Sequence, residues 1–318
     1  MFILRRIAAG LGTLIVASML VFLATSVIPG SPASAVLGRQ ATPEAVAEID
    51  HRLGYDRPIV TRYLDWLGGA VKGDFGDSAL AEVQGLNSPV QEIIREPAQN
   101  TIVLALIAVL FLIPISLVWG MIAGSYAGRW QDHAISTLTL VMISMPEFII
   151  GALLVAVFSV GLDILPPVSL LAPGASPLGD PKILVLPVLT LLCVSIAWTV
   201  RLVRVGVVEV QKSDYVQMAR MQGIGARRVL SRYVLRNALA PSVQVFALSI
   251  QFMFGGVIVT EAVFNYPGLG TQLVSAVQNH DGPQVQAISV LLAVVYIATN
   301  IIADLMVVLL VPKLRTQS

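Results

Sequence analysis

Three carboxylates stand inside or at the edge of long apolar stretches: Glu147, Glu261 and Asp304. A carboxylate in hydrocarbon costs about 3 kcal/mol, so each must face a wet cavity or a partner group. Such a group can line the path of a polar solute, for instance by contacting an amine. It can equally hold the donors of a neighbouring helix. Glu147 follows Pro146 and suits either role. Glu261 precedes "NYPGLG", a turn containing Pro267, Gly268 and Gly270 whose backbone it can hold. Asp304 lies one helical turn from Asn300, a spacing that suits a structural hydrogen bond.

Catalytic groupings are missing. His51, His133 and His280 are scattered, and the single cysteine, Cys193, lies in an apolar run, so neither a disulfide framework nor a metal cluster is expected. No H-E-x-x-H occurs, and the dipeptide Gly-Lys never appears, which excludes a G-x-x-x-x-G-K-[ST] loop. An intramembrane protease would need a serine–histidine, aspartate-pair or metal constellation, which the apolar runs lack. A secondary carrier would want paired intramembrane carboxylates and an internal repeat, also lacking. No cofactor is expected on this chain, and any uphill transport must be driven from outside it.

The elements that position these residues are set by composition. Of 318 residues, 56% are hydrophobic and 12% charged, with a mean hydropathy of +0.82. A helix rising 1.5 Å per residue needs about 20 apolar residues to cross the bilayer. Six stretches qualify, at 7–28, 97–128 (kinked at Pro114), 134–161, 183–200, 237–260 and 283–312, and predict an all-α polytopic membrane protein. Arg5 and Arg6 precede the first, Lys313 and Arg315 follow the last, and an even number of spans places both termini on the cytoplasmic side. The first stretch, 22 residues long, exceeds a signal-peptide core and reads as an uncleaved anchor.

Three units follow: 1–28, the N-terminus and first span; 29–96, an external loop; and 97–318, a five-helix core. The external loop has six basic and ten acidic residues. It should form a helical cap. "TPE" from Thr42 starts one helix and Gly54 stops it. Ile59, Val60, Tyr63, Leu64, Leu67 and Val71 share one helical face. A turn follows at "KGDFGDS", with Gly73, Asp74 and Gly76, and a capping box at Ser88 opens another short helix.

Residues 201–236 carry Arg201, Arg204, Lys212, Arg220, Arg227, Arg228, Arg232 and Arg236 against Glu209 and Asp214. That makes them cytoplasmic. Ser213 caps a short helix with Asp214 in its first turn and Tyr215, Val216, Met218 and Ala219 on an apolar side. Gly223 and Gly225 break it before a second, basic helix. Topology signal and contact with anionic lipid both explain basic residues here. The arginines are not interleaved with a series of aromatic residues, so no nucleic-acid surface is expected. The glycine break is more than topology or lipid requires.

The segment "DYVQMARMQGIGARRVLSRYVLRNALAP" resembles the cytoplasmic coupling loop of ABC importer permeases of the dipeptide/oligopeptide class, which also serve nickel and glutathione. "IPGSP" at 28–32, "RYLDWLGGAVKGDFGDS" at 62–78, "GGVIVTEAVFNYPGLG" at 255–270 and "TNIIADLMVVLLVPKLR" at 299–315 extend the resemblance over nearly the whole chain. At the loop's Glu-Ala-Ala positions stand Gln217, Met218 and Ala219, of which only the last matches. The resemblance implies the type I ABC importer permease fold, and the first of two paired permeases acting as a heterodimer with a homologous one. It implies two ATPase subunits carrying ATP and magnesium, and an extracytoplasmic binding protein delivering peptide across a bacterial or archaeal inner membrane. It also implies that Asp214, Tyr215, Met218, Ala219, Arg220, Gly223, Arg227 and Arg228 form the ATPase-docking loop.

Overall fold

The computed structural model describes residues 2–27, 42–52, 54–172 and 174–310. "IPGSP" at 28–32 and the terminal "VPKLR" at 311–315 lie outside them. No strand occurs among the described residues; an isolated antiparallel bridge joins Asp77 and Pro89.

Among the described residues, five helices are long and apolar enough to cross a membrane. They are α1 (Phe2–Val27), α5 (Val90–Ser125), α8 (Lys182–Gln211), α10 (Leu235–Phe264) and α12 (Gly282–Leu310). The stretch read as a single span at 134–161 is two helices, α6 (Trp130–Ser144) and α7 (Glu147–Val155). α7 ends in a π-helical turn at Ala156–Gly161, and the pair is bent by 102°. The break falls at Met145-Pro146, because the residue before proline is driven out of the helical region and Met145 sits at ψ 132°. Counted as one broken span, the pair brings the total to six.

The core lies between α5, α8 and α10. Leu104, Leu112, Leu191 and Met253 are almost fully buried there. Their spacing on each helix turns one apolar stripe inward, while Leu106, Leu110 and Phe252 face outward, as expected where the solvent is lipid. At the opposite end from the cap, Val203, Val207, Val234 and Phe246 form a second cluster.

Among the described residues between α1 and α5 are three short helices, α2 (Pro43–Arg52), α3 (Ile59–Ala70) and α4 (Ala79–Val83). Gly54, at φ +70°, ends α2 as expected. Of the expected face of α3, Ile59, Tyr63 and Leu67 are half-buried but Val60, Leu64 and Val71 are exposed; Tyr63 packs edge-on and Trp66 tilted against Phe22 of α1. The Tyr63 hydroxyl also lies 3.0 Å from Ser18 Oγ, which rotates the inward face by one position. The capping box at Ser88 does not form. The bridge to Asp77 keeps that strip extended, the Ser88 carbonyl accepts from Ser78 N–H, and the helix starts at Val90. That helix then runs through Pro97 and Pro114, so the unit boundary read at 96/97 falls inside α5.

Candidate functional site

The basic segment folds as a short helix bound on one side. α9 (Asp214–Met221) buries Val216 and Ala219 against the Val203–Phe246 cluster. Tyr215, Met218 and Met221, three residues apart, are 44%, 53% and 75% exposed on the other side. Arg220, Arg227, Arg228 and Arg232 are exposed around them. Ser213 stands at the N-cap position, but its hydroxyl donates back to the Val210 carbonyl at 2.6 Å and leaves the helix amides uncapped. Gly223 closes the helix at φ +76°, with its N–H donating to the Arg220 carbonyl at 3.0 Å. A Cβ there would meet open space, so the demand for glycine is torsional. The second, basic helix is not separate: Ala226–Arg228 leads through a π-helical turn at Val229–Val234 directly into α10.

One side chain ties α9 to the spans. Gln211, the last residue of α8, accepts from Arg220 Nη2 at 3.1 Å and donates to the Gly124 carbonyl of α5 at 3.1 Å. Beside it, α5 and α8 are in backbone contact. A Cβ on Gly120 would lie 2.6 Å from Val203, and one on Gly124 2.7 Å from Val207. This four-residue spacing of small residues lets helices approach closely. Arg204 of α8 completes the block by gripping Asp132 of α6 in a two-pronged pair, with Nη2 to Oδ2 at 2.7 Å. Asp132 also accepts from Gly128 N–H and the Ser136 hydroxyl.

The carboxylates singled out in the spans all have partners. Glu261, fully buried, accepts from Thr101 Oγ1 and Gly270 N–H, each at 2.6 Å. Around it the turn 265–268 is fixed by Asn100, whose amide donates to the Pro267 carbonyl at 2.9 Å, and by Tyr266, whose hydroxyl donates to the Asn100 carbonyl at 2.8 Å. Burial raises the Tyr266 phenol above its ordinary value and keeps it a donor. Glu147 opens α7 and accepts from Thr260 Oγ1 of α10 at 2.5 Å, lying over the bare backbone of Gly256. For Asp304 the structural partner is Arg6 of α1, in an ion pair at 3.1 Å; Asn300 is exposed. The charge that α12 carries is thus answered by the N-terminal helix.

In the cap, Gly73 (φ +83°) and Gly76 (φ +79°) form the expected turn, and Asp74 accepts from Gly76 N–H at 2.9 Å. The turn hands Ser78 to Asp281, in the loop between α11 (Leu269–Gln278) and α12. Asp281 is fully buried, accepting also from Ala79 N–H and from Gln284 Nε2 at 2.6 Å.

The structure therefore does not gather the sequence-selected residues into one place. It sets Glu147, Glu261 and Asp304 at three separate helix contacts and the arginines at the far end. Sequence reading passed over Gln211, Asp132, Arg204 and Asp281 as functional positions. Only the Gly120/Gly124 spacing offered a local signal.

An all-helical, multi-pass chain with a one-sided helix projecting beyond its spans defines an inner-membrane permease subunit of the type I ABC importer fold. Residues 116–316 match the family described as binding-protein-dependent transport system inner membrane component, and residues 1–88 match its N-terminal counterpart. The chain belongs to this family. It is 34% identical over 313 residues to a peptide transport system permease protein of Brucella abortus (strain 2308), covering 98% of each chain. It is 33% identical over 314 residues to the glutathione transport system permease protein of Escherichia coli (strain K12), covering 99% of this chain and 98% of that one.

Proposed function

We propose that this chain is the peptide-conducting permease of an ATP-driven importer, forming half of the pathway with a homologous second permease. An external binding protein delivers the peptide, and two ATPase subunits supply ATP and magnesium; this chain binds no cofactor. α9 is the lever. It seats its exposed Tyr215–Met218–Met221 face in a groove on an ATPase, with the termini on the same side of the membrane. The observation that carries this reading is the build of α9: one face buried in the spans, the other left apolar and ringed by Arg220, Arg227 and Arg228. Peptide as the cargo rests on the names of the relatives.

The first test is co-purification of the tagged chain in mild detergent. Recovery of a second six-span permease and of chains with ATP-binding loops supports the assembly. The second test uses Gly223. Asparagine tolerates the left-handed backbone, so Gly223→Asn should assemble and transport. Gly223→Arg should assemble but abolish uptake. Normal uptake by the arginine variant would overturn the lever.

A further inference from the structure

An open cavity of about 280 Å³ lies between α6 and α8, with His133, Ser136 and Thr137 on one wall and Arg201 and Arg204 on the other. Arg204 is neutralised by Asp132. Arg201 is exposed, and among the described residues no carboxylate stands within ion-pair distance of it. Leu140, one turn further into the span on α6, and Val205, one turn nearer the α9 end on α8, also line the cavity and are 52% and 56% exposed. Towards the α9 end, Trp130 is 75% exposed at the start of α6, where an indole sits at headgroup level. The cavity thus offers a guanidinium and hydroxyls at one level and the apolar Leu140 one turn deeper.

We propose that this cavity binds the phosphate of an anionic phospholipid in the leaflet on the α9 side. Arg201 makes the charge-assisted contact, Ser136 and Thr137 flank it, and Leu140, one turn deeper, carries the upper acyl chain. Arginine suits this ligand because its planar fork matches phosphate oxygens. Basic pockets between spanning helices on the cytoplasmic side are a general site for anionic headgroups. A free phosphate has the same oxygens but gains nothing from the apolar edge. The inference rests on the proposed orientation of α9, not on the cargo, so failure of peptide transport leaves it intact. A lipid held here would brace α6 against α8 beside the Asp132–Arg204 pair.

The test uses the full transporter complex purified from its membrane, with bound lipid counted by native mass spectrometry after exchange into phosphatidylcholine with added phosphatidylglycerol. Wild type should retain phosphatidylglycerol. Arg201→Gln should retain it about tenfold less, as expected for one lost charge-assisted bond. Its unfolding temperature in phosphatidylcholine alone should stay unchanged. Thr137→Asp, which puts a negative charge in the cavity, should also lose the lipid. Arg95→Gln, on the opposite face, should keep it. Equal retention by Arg201→Gln overturns the proposal. So does displacement of the lipid by inorganic phosphate, which would make the site one for free anions. Absence of retained phosphatidylglycerol from wild type overturns it too, showing the cavity covered by a neighbouring subunit.

Discussion

Glu261 shows how one carboxylate can be spent on shape. It accepts two short hydrogen bonds while Gly268 passes so close that a Cβ would fall 2.1 Å from Oε1. Gly268→Ala should therefore destabilise the fold by about 2 kcal/mol or more, since the buried carboxylate has nowhere to move. A lowered unfolding temperature of the purified permease in detergent is the check. Glu261→Gln keeps the volume but turns one acceptor into a donor facing another donor. It should cost about 1–3 kcal/mol by the same measurement. The role of Glu261 was legible from its place beside "NYPGLG". Its partner Thr101 was not, because the two are 160 positions apart and nothing local to threonine announces a long-range contact. The partner of Asp304 was hidden for the same reason: Asn300 is its neighbour in sequence, Arg6 its neighbour in space.

At the scale of elements, the six apolar stretches were visible, and their ends were not. α8 continues to Gln211 because, beside Arg201 and Arg204, a separate face still packs at helical spacing and buries Val200, Val203 and Val207. α5 begins at Val90 for the mirror-image reason, with Val90 and Ile94 buried against Leu269 and Ile288. Hydropathy reports where lipid begins, and helices do not stop there. The close seam at Gly120 and Gly124 makes α5 and α8 one rigid unit, and Gln211 fastens α9 to it. Gln211→Leu removes two hydrogen bonds worth about 1 kcal/mol each. It should leave assembly intact and lower peptide moved per ATP hydrolysed by about tenfold, measured in proteoliposomes. Unchanged coupling would show that α9 moves the spans through its apolar contacts with Val203 and Val207 alone.

Across the whole molecule, the first third of the chain is fastened to the last. Arg6 pairs with Asp304, Gln286 donates to Thr25 at 2.8 Å, and Ser78 donates to Asp281 across 203 positions. Asp281→Ala should free the cap, so that brief proteolysis of right-side-out membrane vesicles cuts near Ser78 faster than in wild type. Arg6→Ala should lower the amount of protein in the membrane, and adding Asp304→Asn should restore part of it, because the unpaired carboxylate is then gone. These ties also set a schedule for biogenesis. Ser78 leaves the ribosome long before Asp281 exists, and α1 enters the bilayer before the helix that answers its arginine has been translated. The cap must wait, unfinished, for the last two helices. A chain halted before residue 281 would carry an open seam beside Ser78, giving membrane quality control a mark by which to know it.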